Sequence, residues 1–329
     1  MNHYSETILI TGAAGSIGKE LTFNFLAVDY VQLVLVDISE IGMFQLLEEI
    51  NIKYPQLAVN YFIESISNKE FVQYLFKEFN FKRVFHAAAY KHVALMEANP
   101  CSAIVSNIYG AQLIIDHSII NNVSQLVILS TDKAVNPINT MGRTKNVIEK
   151  YAHLKSEETY KTNLIVLRLC NIYSSSGSVV PIFKSRIAQN LPLIIKDSKL
   201  IRSFIKPKEV RNIFNYIFQN LNLKGIYIPN NSKEILIQKI ASKVLKESNK
   251  DATTYPIVYT YLPEDEKLKE ELLNTNEYRS KLTNAPIDLL DTHKSTSLNT
   301  ILLEECIQDA KMYQVKSAYE KLLKLSTNS

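Results

Sequence analysis

The sequence predicts an α/β fold, a doubly wound parallel sheet with a smaller, mostly helical C-terminal lobe. Three observations lead there. Short β-branched runs alternate with amphipathic segments through the first half of the 329 residues. The runs are apolar throughout, as strands covered on both faces are. Right-handed crossovers between parallel strands then make a doubly wound sheet the simplest connection.

Taken in order, Thr7 to Thr11 reads as a buried strand, Ser16 to Val28 as a helix and Val31 to Val36 as a second strand. A helix from about Ile41 to Ile52 and a strand from Ala58 to Ile63 follow. Phe71 to Phe79 is expected to be helical, Arg83 to His86 the fourth strand, and Ser102 to Asn121 a long helix. Gln125 to Ser130, helix Thr140 to Leu154 and strand Leu164 to Leu169 continue the alternation. Ser174 to Ser178 is a loop, Arg202 to Ile205 is extended, and Pro207 opens a helix to about Leu221. Gly225 to Ile228 is a further strand, with a helix from Lys233 and mostly helix after Asp251. Leu303, Ile307 and Ala310 fall at helical spacing, which suits a face packed on the core or an oligomer contact. The expected division is a large domain over 1–173, with 207–230 returning to it, and a substrate lobe over 174–206 and 231–329.

Composition excludes several classes. With 46% hydrophobic and 21% charged residues, the chain can bury a core and is not expected to be disordered. A net charge of +4 is too small to imply nucleic-acid or membrane binding. Cys101, Cys170 and Cys306 are isolated and odd in number, so neither a disulfide framework nor a zinc site is expected. His86 and His92 lack metal-ligand spacing, so no metal is expected. Residues Met1 to Glu6 are polar, and no apolar stretch approaches the ~18 residues of a membrane span. A cytoplasmic protein is the resulting expectation.

Ligands of such sheets bind at the carboxyl ends of the strands, so the residues just beyond each strand carry the functional information. After the first strand comes Gly12-Ala-Ala-Gly15-Ser16-Ile17-Gly18, opening a helix. Glycines there permit a tight turn and bring backbone amides to a pyrophosphate at the helix N-terminus. Taken alone, a glycine triplet is also ordinary turn chemistry. Asp37 ends the second strand, where a carboxylate can accept from a ribose hydroxyl or cap the next helix. An acid there repels a 2′-phosphate and points to NAD, while Ser39 leaves NADP open. His86-Ala87-Ala88-Ala89 gives small residues that let backbone approach a cofactor, or simply end a strand.

The fifth strand leads into Ser130-Thr131-Asp132-Lys133-Ala-Val-Asn-Pro137, then Met141-Gly-Arg-Thr-Lys145. In the short-chain dehydrogenase superfamily, a strand-end Ser or Thr polarises a carbinol, and Tyr-x-x-x-Lys supplies a base and a ribose-binding lysine. Thr131 and Lys145 fit that pattern, but Met141 occupies the tyrosine position, and a thioether cannot shuttle a proton. Asp132 and Lys133 offer an acid and a base in its place, or a plain ion pair.

These motifs resemble the nucleotide-sugar 4,6-dehydratases of bacterial polysaccharide biosynthesis. Most similar are the UDP-N-acetylglucosamine 4,6-dehydratases whose helix reads Met-Gly. The resemblance runs from Ile8 to about Leu273 and includes His86 to Pro100, Ser130 to Pro137, Asn171 to Pro181 and Glu266 to Leu273. It implies an extended short-chain dehydrogenase (Rossmann) fold, a tightly held NAD or NADP, a nucleotide-sugar substrate and a homo-oligomer.

By position, the resemblance makes Lys133 the C5 base, Asp132 the acid for the C6 oxygen, Thr131 the partner of the C4 oxygen and Lys145 the ribose ligand. Either Asp132 or a relay through Thr131 would take the C4 hydroxyl proton. Lys91, Asn107 and Asn171 match positions near the reacting sugar. Arg202 is placed to bind the diphosphate or to form a surface ion pair. The chain departs from the family at Ser65, at Pro263-Glu-Asp265 and at Cys170. A GDP-linked substrate, a C5-inverting dehydratase, a 4-epimerase and a cofactor-binding regulator are the alternatives.

Overall fold

The computed structural model describes residues 6–28, 31–175, 177–292 and 297–327. The polar stretch 1–5 and Ser176 of the expected loop lie outside the described residues. The chain begins β1 (Glu6–Thr11), α1 (Ser16–Leu26), β2 (Val31–Asp37), α2 (Glu40–Lys53), β3 (Asn60–Ile63), α3 (Lys69–Glu78) and β4 (Arg83–His86). Two short helices, α4 (Val93–Ala98) and α5 (Pro100–Ala103), pass through a π-helical stretch, Ile104–Tyr109, into α6 (Gly110–Ile120). β5 (Gln125–Thr131) runs into a 3₁₀ turn, Asp132–Ala134, and then α7 (Thr140–Glu158), β6 (Asn163–Leu169) and β7 (Asn171–Ile172).

Beyond these come α8 (Val179–Ala188), β8 (Leu193–Ile195), β9 (Ile201–Ile205), α9 (Pro207–Gln219), β10 (Gly225–Pro229) and β11 (Lys233–Leu236). The chain ends with α10 (Ile237–Glu247), β12 (Ile257–Tyr259), β13 (Glu277–Lys281), β14 (Ile287–Thr292), α11 (Thr300–Lys311) and α12 (Val315–Ser326).

The main sheet has the order β13-β14-β10-β6-β5-β4-β1-β2-β3. From β10 to β3 every pairing is parallel, whereas β14 and β13 are antiparallel additions. The order therefore reverses between β1 and β4, the switch point at which such sheets open a crevice. One face is covered by α3, α6 and α7, the other by α1, α2 and α9. On α9 the buried residues are Val210, Ile213, Phe214 and Ile217, the spacing of a single helical stripe. A smaller unit has its own core, in which Val180, Phe183, Ile187, Leu193, Phe204 and Val244 meet.

Several local expectations are corrected. The helix expected from Lys233 begins at Ile237, because Lys233–Leu236 pairs antiparallel with β9 first. The stretch after Asp251 is not mostly helical: β14 seals the free edge of β10, burying Ile287 and Leu290. Nor do α11 and α12 join the smaller unit. Leu303, Ile307, Ala310 and Leu322 pack into the core shared by α6 and α7. The apolar run is also longer than expected. Pro100–Ile120 is long and apolar enough, by length and composition, to cross a membrane, and here it packs between the sheet and α11.

Candidate active site

The loop from β1 to α1 is shaped by contact with β4. Gly12 has φ +68°, and a Cβ there would lie 2.6 Å from Ala88 N. At Gly18 a Cβ would lie 2.0 Å from Gly12 O, so the first turn of α1 sits directly on the loop. Ser16 starts α1, and Ile17 packs into the core beneath. Asp37 Oδ2 accepts from Ala14 N at 2.9 Å and its Oδ1 from Ser39 N at 2.9 Å. Ser39 in turn caps α2 by accepting from Gly42 N at 3.0 Å.

Gly12, Gly15, Asp37, Ser39, Ala87 and Ala88 all line one cleft of about 550 Å³. A backbone cradle that admits no Cβ, a helix N-terminus and a carboxylate at the end of β2 fit a dinucleotide. His86, at the end of β4, is buried with Nδ1 2.8 Å from Thr11 Oγ1, and burial pushes its pKa down to about 3, so it is neutral.

One strand over, the end of β5 holds a charged cluster. Thr131 Oγ1 donates to Asp132 Oδ1 at 2.9 Å, and Lys133 Nζ donates to the same oxygen at 3.0 Å. Asp132 is 1% exposed, and its Oδ2 has no hydrogen-bond partner among the described residues. Glu270, also buried, brings Oε1 to 3.9 Å from Lys133 Nζ. Burial alone would lower the Lys133 pKa, but the flanking Asp132 and Glu270 charges outweigh it and raise it above 10.5. Burial raises the Glu270 carboxyl above its ordinary 4.5 in spite of Lys133.

The segment carrying Glu270 is strapped across this cluster. Asn139, which caps α7 through Gly142 N, donates to Asp265 O at 3.0 Å, and Lys267 Nζ donates to Val135 O at 2.7 Å. Further along, Arg168 on β6 binds Glu149 and Glu277 and donates to Leu272 O at 2.7 Å, all in the interior.

Lys145 is buried and donates from Nζ to Leu129 O at 2.9 Å; burial lowers its pKa to about 8 although Glu149 opposes the shift. Met141 is 3% exposed and packs with Met96 and Ala103. Lys91 is exposed on the loop after β4, and half-buried Asn171 donates to Ser203 O at 3.1 Å. Asn107 is fully buried, and its amide accepts from Tyr90 N and donates to Tyr90 O and Thr144 Oγ1. One expectation shifts. Arg202 is not a surface residue: it is 6% exposed, pairs with Glu266 at 2.8 Å and donates to two backbone carbonyls. Glu270 is the member that motif reading passed over, visible only as one of several acids in Glu266 to Leu273.

A glycine loop at the switch point and a strand-end Thr with a helix lysine define a Rossmann sheet of the short-chain dehydrogenase/reductase class. The chain belongs to the polysaccharide biosynthesis protein family, whose model matches residues 8–289. It is 32% identical over 274 residues to the capsular polysaccharide biosynthesis protein CapD of Staphylococcus aureus, covering 83% of this chain and 46% of that protein. The chain thus spans about half the length of that relative. It is 33% identical over 244 residues to a protein named UDP-glucose 4-epimerase in Rickettsia bellii, covering 71% of this chain and 70% of that one. Among solved structures, Pen from Bacillus thuringiensis superposes with a TM-score of 0.77 at 26% identity, covering 88% of each chain.

Proposed function

We propose that this chain is a nicotinamide-dinucleotide-dependent 4,6-dehydratase of a nucleotide-linked sugar, with UDP-N-acetylglucosamine or a related N-acetylhexosamine as substrate. The observation that carries this reading is the buried Asp132–Lys133–Glu270 cluster beside Thr131, which holds more proton-transfer capacity than hydride transfer alone requires. Asp37 favours NAD over NADP in the glycine-loop cleft.

The bound nicotinamide supplies a hydride acceptor for sugar C4 and a hydride donor for C6. Everything else falls to the chain's own residues. Thr131 Oγ1 holds the C4 oxygen and passes its proton to Asp132 Oδ1, 2.9 Å away. Lys133, an ammonium at rest, sheds its proton to Glu270 as the arriving sugar excludes water and disfavours both charges. The neutral Lys133 amine then takes the C5 proton, which the new C4 ketone has made acidic.

Asp132 gives its proton to the C6 oxygen, which departs as water and leaves a C5–C6 double bond. After hydride reaches C6, Lys133 returns a proton to C5 and recovers its own from Glu270. The cluster ends in the state in which it began. Lys145 holds the nicotinamide ribose, and Met141 keeps the tyrosine position aprotic.

A 4-epimerase is the second reading, favoured by the name of the Rickettsia relative. Such a reaction leaves C5 untouched and needs no Lys133. Incubating the protein with UDP-N-acetylglucosamine and, separately, with its GDP counterpart distinguishes the readings by mass spectrometry and proton NMR. Loss of one water without net cofactor consumption is expected from the UDP sugar. An unchanged mass with an inverted C4 would establish the epimerase, and loss of water only from the GDP sugar would reassign the base.

A further inference from the structure

The hairpin of α11 and α12 ends beside the glycine-loop cleft. Ala310, Lys311 and Tyr313 line that cleft together with the ends of β2 and β3. The hairpin lies beyond the residues matched by the family model, so this wall is an addition to the matched region. Its position is firm, because Leu303, Ile307 and Leu322 are fully buried in the core beneath it.

Two features single out Tyr313. It has φ +56° at the residue that closes α11, where Gln314 N donates to Asp309 O at 2.9 Å. That left-handed position ordinarily goes to glycine or asparagine and is strained for a bulky side chain. The other non-glycine residues with positive φ among the described residues are five asparagines and Ser174. In addition, Tyr313 lines the cleft while 76% of the residue's surface stays exposed. Beside it, Lys311 holds its ammonium 3.2 Å from the centroid of the Tyr109 ring, which fixes a positive charge on the same rim.

We propose that Tyr313 and Lys311 form the outer wall of an adenosine subsite. Adenine covers the exposed Tyr313 ring, and Lys311 adds positive potential beside the ribose and phosphates. This rests on the dinucleotide reading given above and extends it to a part of the chain outside the matched family region. Strained residues persist where the surrounding structure enforces them, commonly at ligand clamps, and a base-stacking ring is a reason to retain one here.

Calorimetric titration of nucleotide-stripped protein with NAD+, ADP-ribose and nicotinamide mononucleotide tests the subsite, with thermal melting in parallel. Tyr313→Gly is the informative variant, since it removes the ring and the backbone strain together. Its melting temperature should equal or exceed that of the wild type. Its affinity for NAD+ and ADP-ribose should fall in parallel by about ten-fold, with the mononucleotide unaffected. Lys311→Ala should weaken the same two ligands by a smaller factor. Met312→Ala, comparably exposed on the same turn but outside the cleft, should leave all affinities unchanged. Unchanged NAD+ and ADP-ribose binding in Tyr313→Gly, or a loss confined to NAD+, overturns the proposal. Failure of the wild type to bind either ligand overturns the dinucleotide reading and the subsite together.

Discussion

Glu270 Oε1 stands 3.9 Å from Lys133 Nζ, and that contact ties the strap of residues 265–274 to the end of β5. On its other side the same ammonium donates to Asp132 at 3.0 Å, so one cation sits between two buried carboxylates. A base in that position needs somewhere to leave its proton, and Glu270, held above its ordinary pKa by burial, accepts one readily. Glu270→Gln should therefore lower kcat at neutral pH by about ten- to a hundred-fold. The loss should shrink as pH rises, because the variant's Lys133, with one flanking charge gone, deprotonates to solvent at lower pH than in the wild type. A pH profile of kcat measures this. A profile parallel to the wild type would reduce Glu270 to packing.

Asp132→Asn and Lys133→Met should each lower kcat by about 10²- to 10⁴-fold, the usual range for a general acid or base. Dinucleotide affinity should be retained, since neither residue lines the glycine-loop cleft. Steady-state kinetics with a parallel binding titration checks both. Full turnover in Lys133→Met would fit an epimerase instead.

Arg168→Met should destabilise the fold by about 3–5 kcal/mol, because Glu149 and Glu277 would keep buried charges without their partner. The sign of the pH dependence follows from Glu277. Burial alone would raise its carboxyl, but the Arg168 bonds outweigh this and hold it below 4.5. Its contribution to stability is therefore complete above pH 4.5 and is lost as pH falls through the lower folded value. Urea denaturation between neutral and acid pH should show this loss in the wild type and a weaker one in Arg168→Met.

Gly12→Ala should abolish nucleotide binding and lower stability. The new methyl would meet Ala88 N at 2.6 Å in a backbone conformation that alanine disfavours. Melting with and without NAD+ reports both effects: a lowered melting temperature and no shift on adding nucleotide.

Much of the fold was legible because its signals are local. The apolar runs Thr7–Thr11 and Gln125–Ser130 have no polar face to expose, so they announce buried parallel strands. Leu303, Ile307 and Ala310 likewise read as a packed face and are buried. What they pack against is a matter of tertiary placement, and no spacing reveals that α11 returns to α6 and α7. β13 and β14 were missed because an edge addition is specified by the open ladder of β10, not by its own short sequence. In the site, Asp132 and Lys133 are adjacent in sequence and stood out together. Glu270 and Asn107 depend on contacts between distant segments: one gains a role when the strap folds over Lys133, and the other spends its amide on Tyr90 and Thr144.

The most direct test of the account follows the sugar's C5 hydrogen. The protein is incubated with UDP-N-acetylglucosamine in D2O, and the product is read by proton NMR. The expected product carries a C6 methyl group, a C4 ketone and solvent deuterium at C5, since Lys133 removes and returns that proton while hydride stays within the site. A C4 epimer that keeps its C5 proton would rule out 4,6-dehydration and leave the buried cluster without a part in the chemistry.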